Sequence, residues 1–151
     1  MALAATACTS GKTPSGSSAS PSASAASSPA PTGPATVGVA TTSLGPILVD
    51  GSGRTLYLFL ADTGTSSTCY TACAVAWPPL LTKGAPRAAA GANASDLSAT
   101  TRTDGTTQIT YAGHPLYYYV GDTKPGQTTG QALNQFGALW YVVSPSGNKV
   151  G

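Results

Sequence analysis

Two cysteines four residues apart are the side chains of this sequence with the clearest capacity for chemistry. Cys69 and Cys73 lie in the segment SSTCYTACAVAWPPLL, which also holds Trp77 and two consecutive prolines. A pair at this spacing can form a disulfide, work as a dithiol redox couple or contribute ligands to a metal. The only other cysteine, Cys8, lies close to the start of the sequence.

A structural disulfide accounts best for this pair. If the chain is exported and Cys8 is lipidated, as the start of the sequence suggests below, Cys69 and Cys73 are the pair of cysteines that remains. An oxidising compartment outside the cell favours a disulfide between them. Zinc and iron–sulfur sites normally take four ligands, whereas the chain offers this pair and one histidine, His114. Haem attachment requires Cys-x-x-Cys-His, but here the spacing is longer and Ala74 follows. We expect a disulfide, no metal and no cofactor, and a redox-active pair is the alternative.

Two aspartates occupy matching positions in similar segments. Asp62 and Asp122 each precede a threonine and a run of turn residues, in ADTGTSS and GDTKPGQ. An aspartate can accept a hydrogen bond from the backbone two residues further on and so close a turn. A pair of carboxylates can also hydrolyse a glycoside, but only where the two face each other across a cleft. Because the same residue recurs with the same neighbours, we predict turn-capping and no catalytic residues.

Aromatic side chains could form a binding surface. In a strand over residues 116–120, Tyr117 and Tyr119 share one face and Tyr118 lies on the other. Tyr and Trp combine flat apolar area with a polar tip, which suits a glycan or a protein partner. The alternative, which we favour, is that both faces are buried, since residues 56–60 are apolar on both faces. The candidate binding aromatics are Trp77, Tyr117, Tyr118, Tyr119 and Trp140.

An internal repeat supplies the elements that must position these residues. GRTLYLFLADT (53–63) matches GHPLYYYVGDT (113–123) without a gap, sixty residues further along. Thr, Val, Tyr and Gly are plentiful and Glu is absent, which suits strands and turns. The sequence predicts a mainly β fold in which residues 37–151 form a single compact domain. Its two repeated hairpin or meander units are predicted to pack together.

Hydrophobic alternation and turn residues predict how each unit is built. The strands before and after the turns at 50–53 and 112–113 are predicted to pair as hairpins. The segment 69–76, with both cysteines, is predicted to be a short helix or turn that ends before Pro78. Residues 83–101 are predicted to be a polar connection between the repeats. The predicted strands are 37–41, 47–49, 55–60, 108–111, 116–120 and 139–143.

The first 36 residues differ in composition from the rest. The opening MALAATAC is typical of the end of a secretory signal, and LAATAC resembles the lipobox of bacterial lipoproteins. Residues 1–8 are therefore predicted to be a truncated signal remnant that ends in a lipidated Cys8, the alternative being an incidental thiol. Residues 9–36 are rich in Ser, Ala and Pro and hold no aromatic residue, so we predict a disordered tether.

Dense motifs across the rest of the chain resemble a known family. The chain holds LY-x-F-x-x-D, S-x-C-x-x-x-CA-x-x-WPPL, DG-x-x-Q-x-TY-x-G-x-PLY with D-x-x-PG-x-x-x-G, and FG-x-x-WYV-x-SP. This pattern, from residue 41 to residue 145, resembles the bacterial "secreted repeat of unknown function" lipoproteins. The resemblance implies an exported two-repeat domain of the cell envelope and implies no particular activity.

Two hypotheses of different class follow for the function. The first is a lipoprotein on the outer face of the bacterial cell membrane that acts as a non-enzymatic binding or structural module. Its partners would be the membrane, through the lipid anchor, and an envelope protein or glycan. The second is a redox accessory protein of the envelope that uses Cys69 and Cys73. The net charge of +2, without a Lys/Arg cluster, argues against a nucleic-acid partner.

Overall fold

The computed structural model of the chain describes residue 11 and residues 30–151. The predicted signal remnant, its lipidation site Cys8 and most of the predicted tether lie outside the described residues. The strands and the helix within this part are, in chain order, β1 (Thr36–Thr42), β2 (Gly45–Asp50), β3 (Tyr57–Phe59), α1 (Ala72–Ala76), β4 (Arg87–Ala88), β5 (Leu97–Thr101), β6 (Thr107–Tyr111), β7 (His114–Pro115), β8 (Asn134–Gln135) and β9 (Ala138–Val142).

Each repeat begins with an antiparallel hairpin. In the first repeat β1 pairs with β2, and in the second β5 pairs with β6 over all five residues of each strand. β4 adds to the outer edge of β1 in parallel, and β7 adds to β6. Directly after the turn from β1, β2 begins at Gly45, whose φ of 94° suits glycine because it has no Cβ.

The predicted hairpin partners were largely wrong. After the turn at 50–53, a single bridge joins Val49 to Thr55, and after the turn at 112–113 the pairing ends with the two-residue β7. The partners came instead from β1, which was predicted as a strand, and from β5. β5 lies in the segment 83–101 that was predicted to be a connection. Because β5 is mostly exposed, it has no apolar alternation that would have marked it as a strand.

The segments that follow the hairpins cross over to the other repeat. Pro79 bridges Tyr117, Tyr117 bridges Tyr57, and Tyr57 pairs with Val142 of β9, all antiparallel. The N–H groups of Tyr57 and Tyr117 each donate to the other residue's carbonyl at 2.9 Å. Because these two tyrosines occupy the same position in the two copies of the repeat, a pseudo-twofold axis passes between them. The central ladder is therefore built equally from both repeats.

Two buried clusters fill the space around this ladder. One is mainly aliphatic and includes Val37, Leu56, Ile109 and Leu116. The other lies around the pseudo-twofold axis and contains most of the aromatic side chains and both cysteines of α1 and its preceding turn. Residues 55–59 are all buried, as predicted for a strand covered on both faces. The mainly β fold with two repeats packed together is thus confirmed.

The short helix predicted at the cysteines is confirmed as α1. It ends at Trp77, immediately before Pro78, as the restriction on residues that precede proline requires. The residue before the helix, Thr71, has φ 52° and ψ −122°. A β-branched residue with positive φ is a genuine outlier that persists only where its surroundings fix it. Thr71 is fixed in this way because it lies inside the loop that Cys69 and Cys73 close.

The end of the predicted tether contacts the domain. The N–H of Ala35 donates to Thr82 Oγ1 at 3.0 Å, and the N–H of Lys83 donates to the Gly33 carbonyl at 3.1 Å. β1 begins at Thr36, one residue before the predicted boundary. Gly33 and Ala35, at the end of the predicted tether, are therefore held against the segment after Leu81.

Candidate functional site

Each repeat supplies a tyrosine whose hydroxyl is bound by an aspartate of the other repeat. Tyr57 OH donates to Asp122 Oδ2, and Tyr117 OH donates to Asp62 Oδ2, both at 2.5 Å. All four residues are buried. We call these four residues the reciprocal clasp. The hydrogen bonds run from the first repeat to the second and from the second to the first. The tyrosine hydroxyl of each repeat therefore has its carboxylate acceptor in the other repeat.

Each aspartate of the clasp also closes a loop in its own repeat. Asp62 Oδ1 accepts from both the N–H and the hydroxyl of Thr68, each at 2.7 Å. Asp122 Oδ1 accepts from the N–H and the hydroxyl of Thr129, at 2.9 and 2.5 Å. Turn-capping was expected to reach the backbone two residues after each aspartate, but the threonines that donate lie further along the chain. Each carboxylate therefore closes a longer loop, and its buried charge is compensated by hydrogen bonds.

Burial sets the ionisation of the clasp tyrosines. The pKa of Tyr57 is raised by its burial, and then by its hydrogen bond to Asp122 and the charge of that carboxylate. The pKa of Tyr117 is raised by burial and then by Asp62. Both phenols therefore stay protonated donors. Since the unfolded chain ionises first, near pH ~10, folding stability is expected to fall as the pH rises above that value.

A stack of four aromatic rings crosses the same axis. Its rings follow the order Phe59, Trp140, Trp77, Tyr119, with centroids 4.0, 4.0 and 4.3 Å apart. The two indoles at its centre are nearly parallel, at 4°. Both indole N–H groups donate to Gln135, Trp77 to the side-chain Oε1 at 2.8 Å and Trp140 to the backbone carbonyl at 3.1 Å. The stack thus places Phe59 of the first repeat on the tryptophan of the second, and Tyr119 of the second on the tryptophan of the first.

The candidate binding aromatics lie inside the protein. Trp77, Tyr117 and Trp140 are fully buried, Tyr118 is 9% exposed, and Tyr119 is partly exposed. The exposed platform considered from the sequence is therefore not formed by these residues, because the two repeats cover both sides of the chain at Tyr117 and Tyr118. The strand predicted over 116–120 is wrong, since this segment forms only isolated bridges at Tyr117. The sequence identified these residues because they are aromatic. It could not show that they are buried, because the other repeat covers them.

The structure confirms the disulfide between Cys69 and Cys73. Their Cα atoms are 5.2 Å apart, within the usual range for a disulfide. Both cysteines are buried, and Cys69 is fully so. Thiol–disulfide exchange requires an attacking thiolate to reach a sulfur atom. The burial of both residues therefore suits a structural bond better than a redox couple.

A buried arginine secures the cysteine segment, although it was not among the residues predicted from the sequence. The Arg102 guanidinium donates to the Cys69 carbonyl, Ser67 Oγ and Gln108 Oε1 at 2.7 to 2.8 Å. It also lies 4.2 Å above the ring of Tyr70. Arg102 follows β5 of the second repeat, whereas its partners Ser67 and Cys69 belong to the first. The surrounding run of Thr, Asp and Gly gave no sign of a buried site.

The two copies of the sequence repeat correspond to a known family. The family model described as "secreted repeat of unknown function" matches residues 38–81 and again residues 98–144, together more than half of the chain. The chain belongs to this family. The resemblance noted from the motifs is thereby confirmed, and the description of the family as secreted supports export. Comparison with curated proteins and with solved structures found no match.

The family repeat coincides with one half of the clasp. Each of the two matched regions holds one tyrosine and one aspartate of the clasp and one tryptophan of the stack. A single family repeat therefore brings a donor and an acceptor that are used only when a second repeat packs against it.

Between residues 30 and 151 no helix has the length and apolarity needed to cross a bilayer. In the same part of the chain, no three side chains of His, Cys, Asp or Glu gather as a potential metal site.

Loss of the disulfide is expected to weaken the domain without unfolding it. A Cys69→Ala/Cys73→Ala double variant should lose about 1 to 3 kcal/mol of unfolding free energy, because the closed loop is short. Arg102 still binds the main-chain carbonyl at position 69, so the segment keeps its second attachment. A urea titration followed by tryptophan fluorescence measures the loss, with reduced wild-type protein as the control. Complete unfolding of the double variant would contradict the prediction.

Proposed function

We propose that this member of the family is a lipid-anchored, non-enzymatic binding or structural module of the bacterial cell envelope. Cys8 is the proposed lipidation site, and the residues before β1 hold the domain off the outer face of the membrane. Its proposed partners are the membrane, through the anchor, and an envelope protein or glycan. Export is supported by the secreted family to which the chain belongs.

One observation carries the non-enzymatic part of this proposal. The side chains that could do chemistry are bonded to one another inside the protein: the clasp carboxylates to tyrosines, and the two cysteines to each other. Catalytic acids, bases and nucleophiles must reach a substrate. Groups that are buried and already paired are suited instead to holding two repeats in a fixed arrangement. The redox alternative gains no support, since Cys69 and Cys73 are both buried.

The lipid anchor is tested by metabolic labelling. The gene is expressed behind a lipoprotein signal in a bacterial host that is fed a fatty-acid analogue. We expect label on the wild type and on a Cys69→Ala/Cys73→Ala variant, and none on Cys8→Ser. The double variant is the matched control, because it removes two thiols and leaves the proposed acceptor in place. Equal labelling of Cys8→Ser and wild type would exclude this cysteine as the anchor.

A further inference from the structure

A cavity of about 460 Å³ opens where the two repeats meet the chain segment that precedes β1. Its volume lies within the range of sites for small molecules, roughly 300 to 1,000 Å³. One wall is formed by residues 30–35, the second by the turn after β2, and the third by residues 79–81 with Tyr118. Most of the wall is apolar, and its charged groups come from the turn after β2.

Asp50 fixes the shape of that turn. Its Oδ1 accepts from the N–H groups of Ser52 and Arg54 at 2.8 and 2.9 Å. Its Oδ2 accepts from Tyr118 OH at 2.8 Å. Burial, and then the Asp50 carboxylate, raises the pKa of Tyr118, so this hydroxyl remains a donor. With three donors directed at it, Asp50 serves the turn and leaves little capacity for a ligand.

Arg54 differs from Asp50 because the N–H groups of its side chain remain available for a ligand. Its guanidinium lies 4.1 Å from the centre of the Tyr118 ring, which supports one face of the group. Among residues 30–151 the Arg54 guanidinium forms no hydrogen bond and no ion pair, and the hydrogen bonds of this residue are made by its backbone. A guanidinium supported in this way keeps its N–H groups in the plane, where they match the two oxygens of a carboxylate.

The fold contains two copies of the repeat, but an arginine on an aromatic ring beside this cavity occurs only at Arg54 among the described residues. The residue of the second copy that matches Arg54, sixty residues further along, is His114, and the residue that matches Asp50 by its pairing across the turn is Tyr111. The ring that supports Arg54 comes from Tyr118, whose counterpart in the first copy is Leu58. The clasp and the stack are shared by both copies, whereas this charged group is not. The contact of Arg54 with the Tyr118 ring does join the two repeats, but it uses one face of the guanidinium and leaves the N–H groups in its plane available for a ligand.

We propose that the cavity binds a small organic anion, a carboxylate with a short aliphatic body. The carboxylate would be held by Arg54, and the aliphatic part would lie against Pro31, Pro34, Pro79 and Leu81. This inference rests on the proposed function, since it gives the binding module a ligand class. It does not depend on the lipid anchor.

Hexanoate serves as the probe, and hexanamide as its uncharged counterpart of equal length. The full 151-residue chain, labelled with ¹⁵N and ¹³C, is titrated at constant ionic strength while the Arg54 side-chain and Tyr118 ring resonances are followed by NMR. We expect saturable binding of hexanoate with a dissociation constant of ~1 mM, the order expected for so small a ligand. Hexanamide should bind at least tenfold more weakly.

Variants separate recognition by Arg54 from attraction to any surface cation. Arg54→Gln should weaken hexanoate binding at least tenfold, and Arg54→Lys should recover part of the loss because it keeps the charge without the planar fork. Arg87→Gln is the matched control, since Arg87 is an exposed cation of β4 that does not line the cavity. It should bind like the wild type. Unsaturable shifts, binding by Arg54→Gln at wild-type strength, or equal binding of hexanamide would each overturn the proposal.

Because the protein in this titration carries no lipid, failure to bind hexanoate would leave the anchor untouched. Loss of fatty-acid labelling at Cys8 would likewise leave the cavity proposal standing. Thermal melts of each variant show whether its fold is intact.

Discussion

Replacing Trp77 with alanine is expected to lower the free energy of unfolding by about 3 to 5 kcal/mol, the usual cost of removing a large buried aromatic side chain. Trp77 is fully buried between Trp140 and Tyr119, so its removal leaves a gap at the centre of the aromatic stack. It also leaves Gln135 Oε1 without its indole donor. Since small domains are stable by roughly 5 to 15 kcal/mol, the variant should be marginal at room temperature.

The loss is measured by urea denaturation followed by far-ultraviolet circular dichroism, which does not depend on the deleted indole. Phe136→Ala is the matched control, because Phe136 is an aromatic residue of the same region that is 49% exposed. It should change the stability by less than about 0.5 kcal/mol, as is usual for surface substitutions. If Trp77→Ala cost no more than Phe136→Ala, the stack would not be the centre of the core.

The second large effect is expected at the reciprocal clasp. Asp122→Ala should cost about 3 kcal/mol or more, because it leaves the buried hydroxyl of Tyr57 and the N–H of Thr129 without their acceptor. Tyr57→Phe removes the hydroxyl that has lost its acceptor but leaves the N–H of Gly130 without a partner, so the double variant should recover only part of the loss. A double-mutant cycle on this pair should give a coupling energy of about 1 to 3 kcal/mol.

A second cycle decides whether the contacts really cross between the repeats. Tyr57 and Asp62 lie in the same repeat and share no hydrogen bond, so Tyr57→Phe with Asp62→Ala should show a clearly smaller coupling. Equal coupling in the two cycles would mean that the crossed arrangement is incorrect. As an additional readout, a Tyr57→Phe/Tyr117→Phe variant should lose less stability than the wild type above pH ~10, since two phenols with raised pKa are absent.

The fold class, the two repeats, the disulfide and α1 could be predicted from the sequence because each depends on local signals. The gapless match of 53–63 to 113–123 places the two copies, and Pro78 ends the helix. Alternation of apolar residues tells which face of a strand is buried but not which element covers it. That is why the hairpin partners were largely wrong while burial was right for residues 56–59, although Leu60 is exposed.

Two prolines prevented the sequence from predicting one segment of the central ladder. Residues 77–81 occupy, beside Tyr117, the place that β9 occupies beside Tyr57. Pro78 and Pro79 have no N–H to donate, so the run does not read as a strand. The pairing is nevertheless real, because the Pro78 carbonyl accepts from the N–H of Tyr118 at 2.8 Å. The N–H of Leu80 also donates to the Leu116 carbonyl at 2.9 Å, so the segment pairs through the residues around Pro79 although its prolines cannot donate.

The buried polar contacts of the clasp and of Arg102 could not be predicted from the sequence, for a different reason. The aspartate of each Y-x-F/Y-x-x-D motif lies five residues after its tyrosine, which suggests a contact within one motif. The contact forms instead with the other copy, and only the three-dimensional exchange reveals it. Arg102 was missed because burial of an arginine depends on its partners. For Arg54 a signal did exist, since the two copies differ at that position.

The crossed hydrogen bonds of the clasp suggest an ancestry for this protein. A gene that encoded one repeat would have made a chain with one unmatched donor and one unmatched acceptor, and a second identical chain would have satisfied both. Duplication and fusion of that gene would keep every such contact within one polypeptide. In a dimer of identical chains, each substitution appears twice, whereas fused halves can diverge. Arg54 in one half and His114 in the other record such a divergence, in which one half changed while the shared contacts were retained.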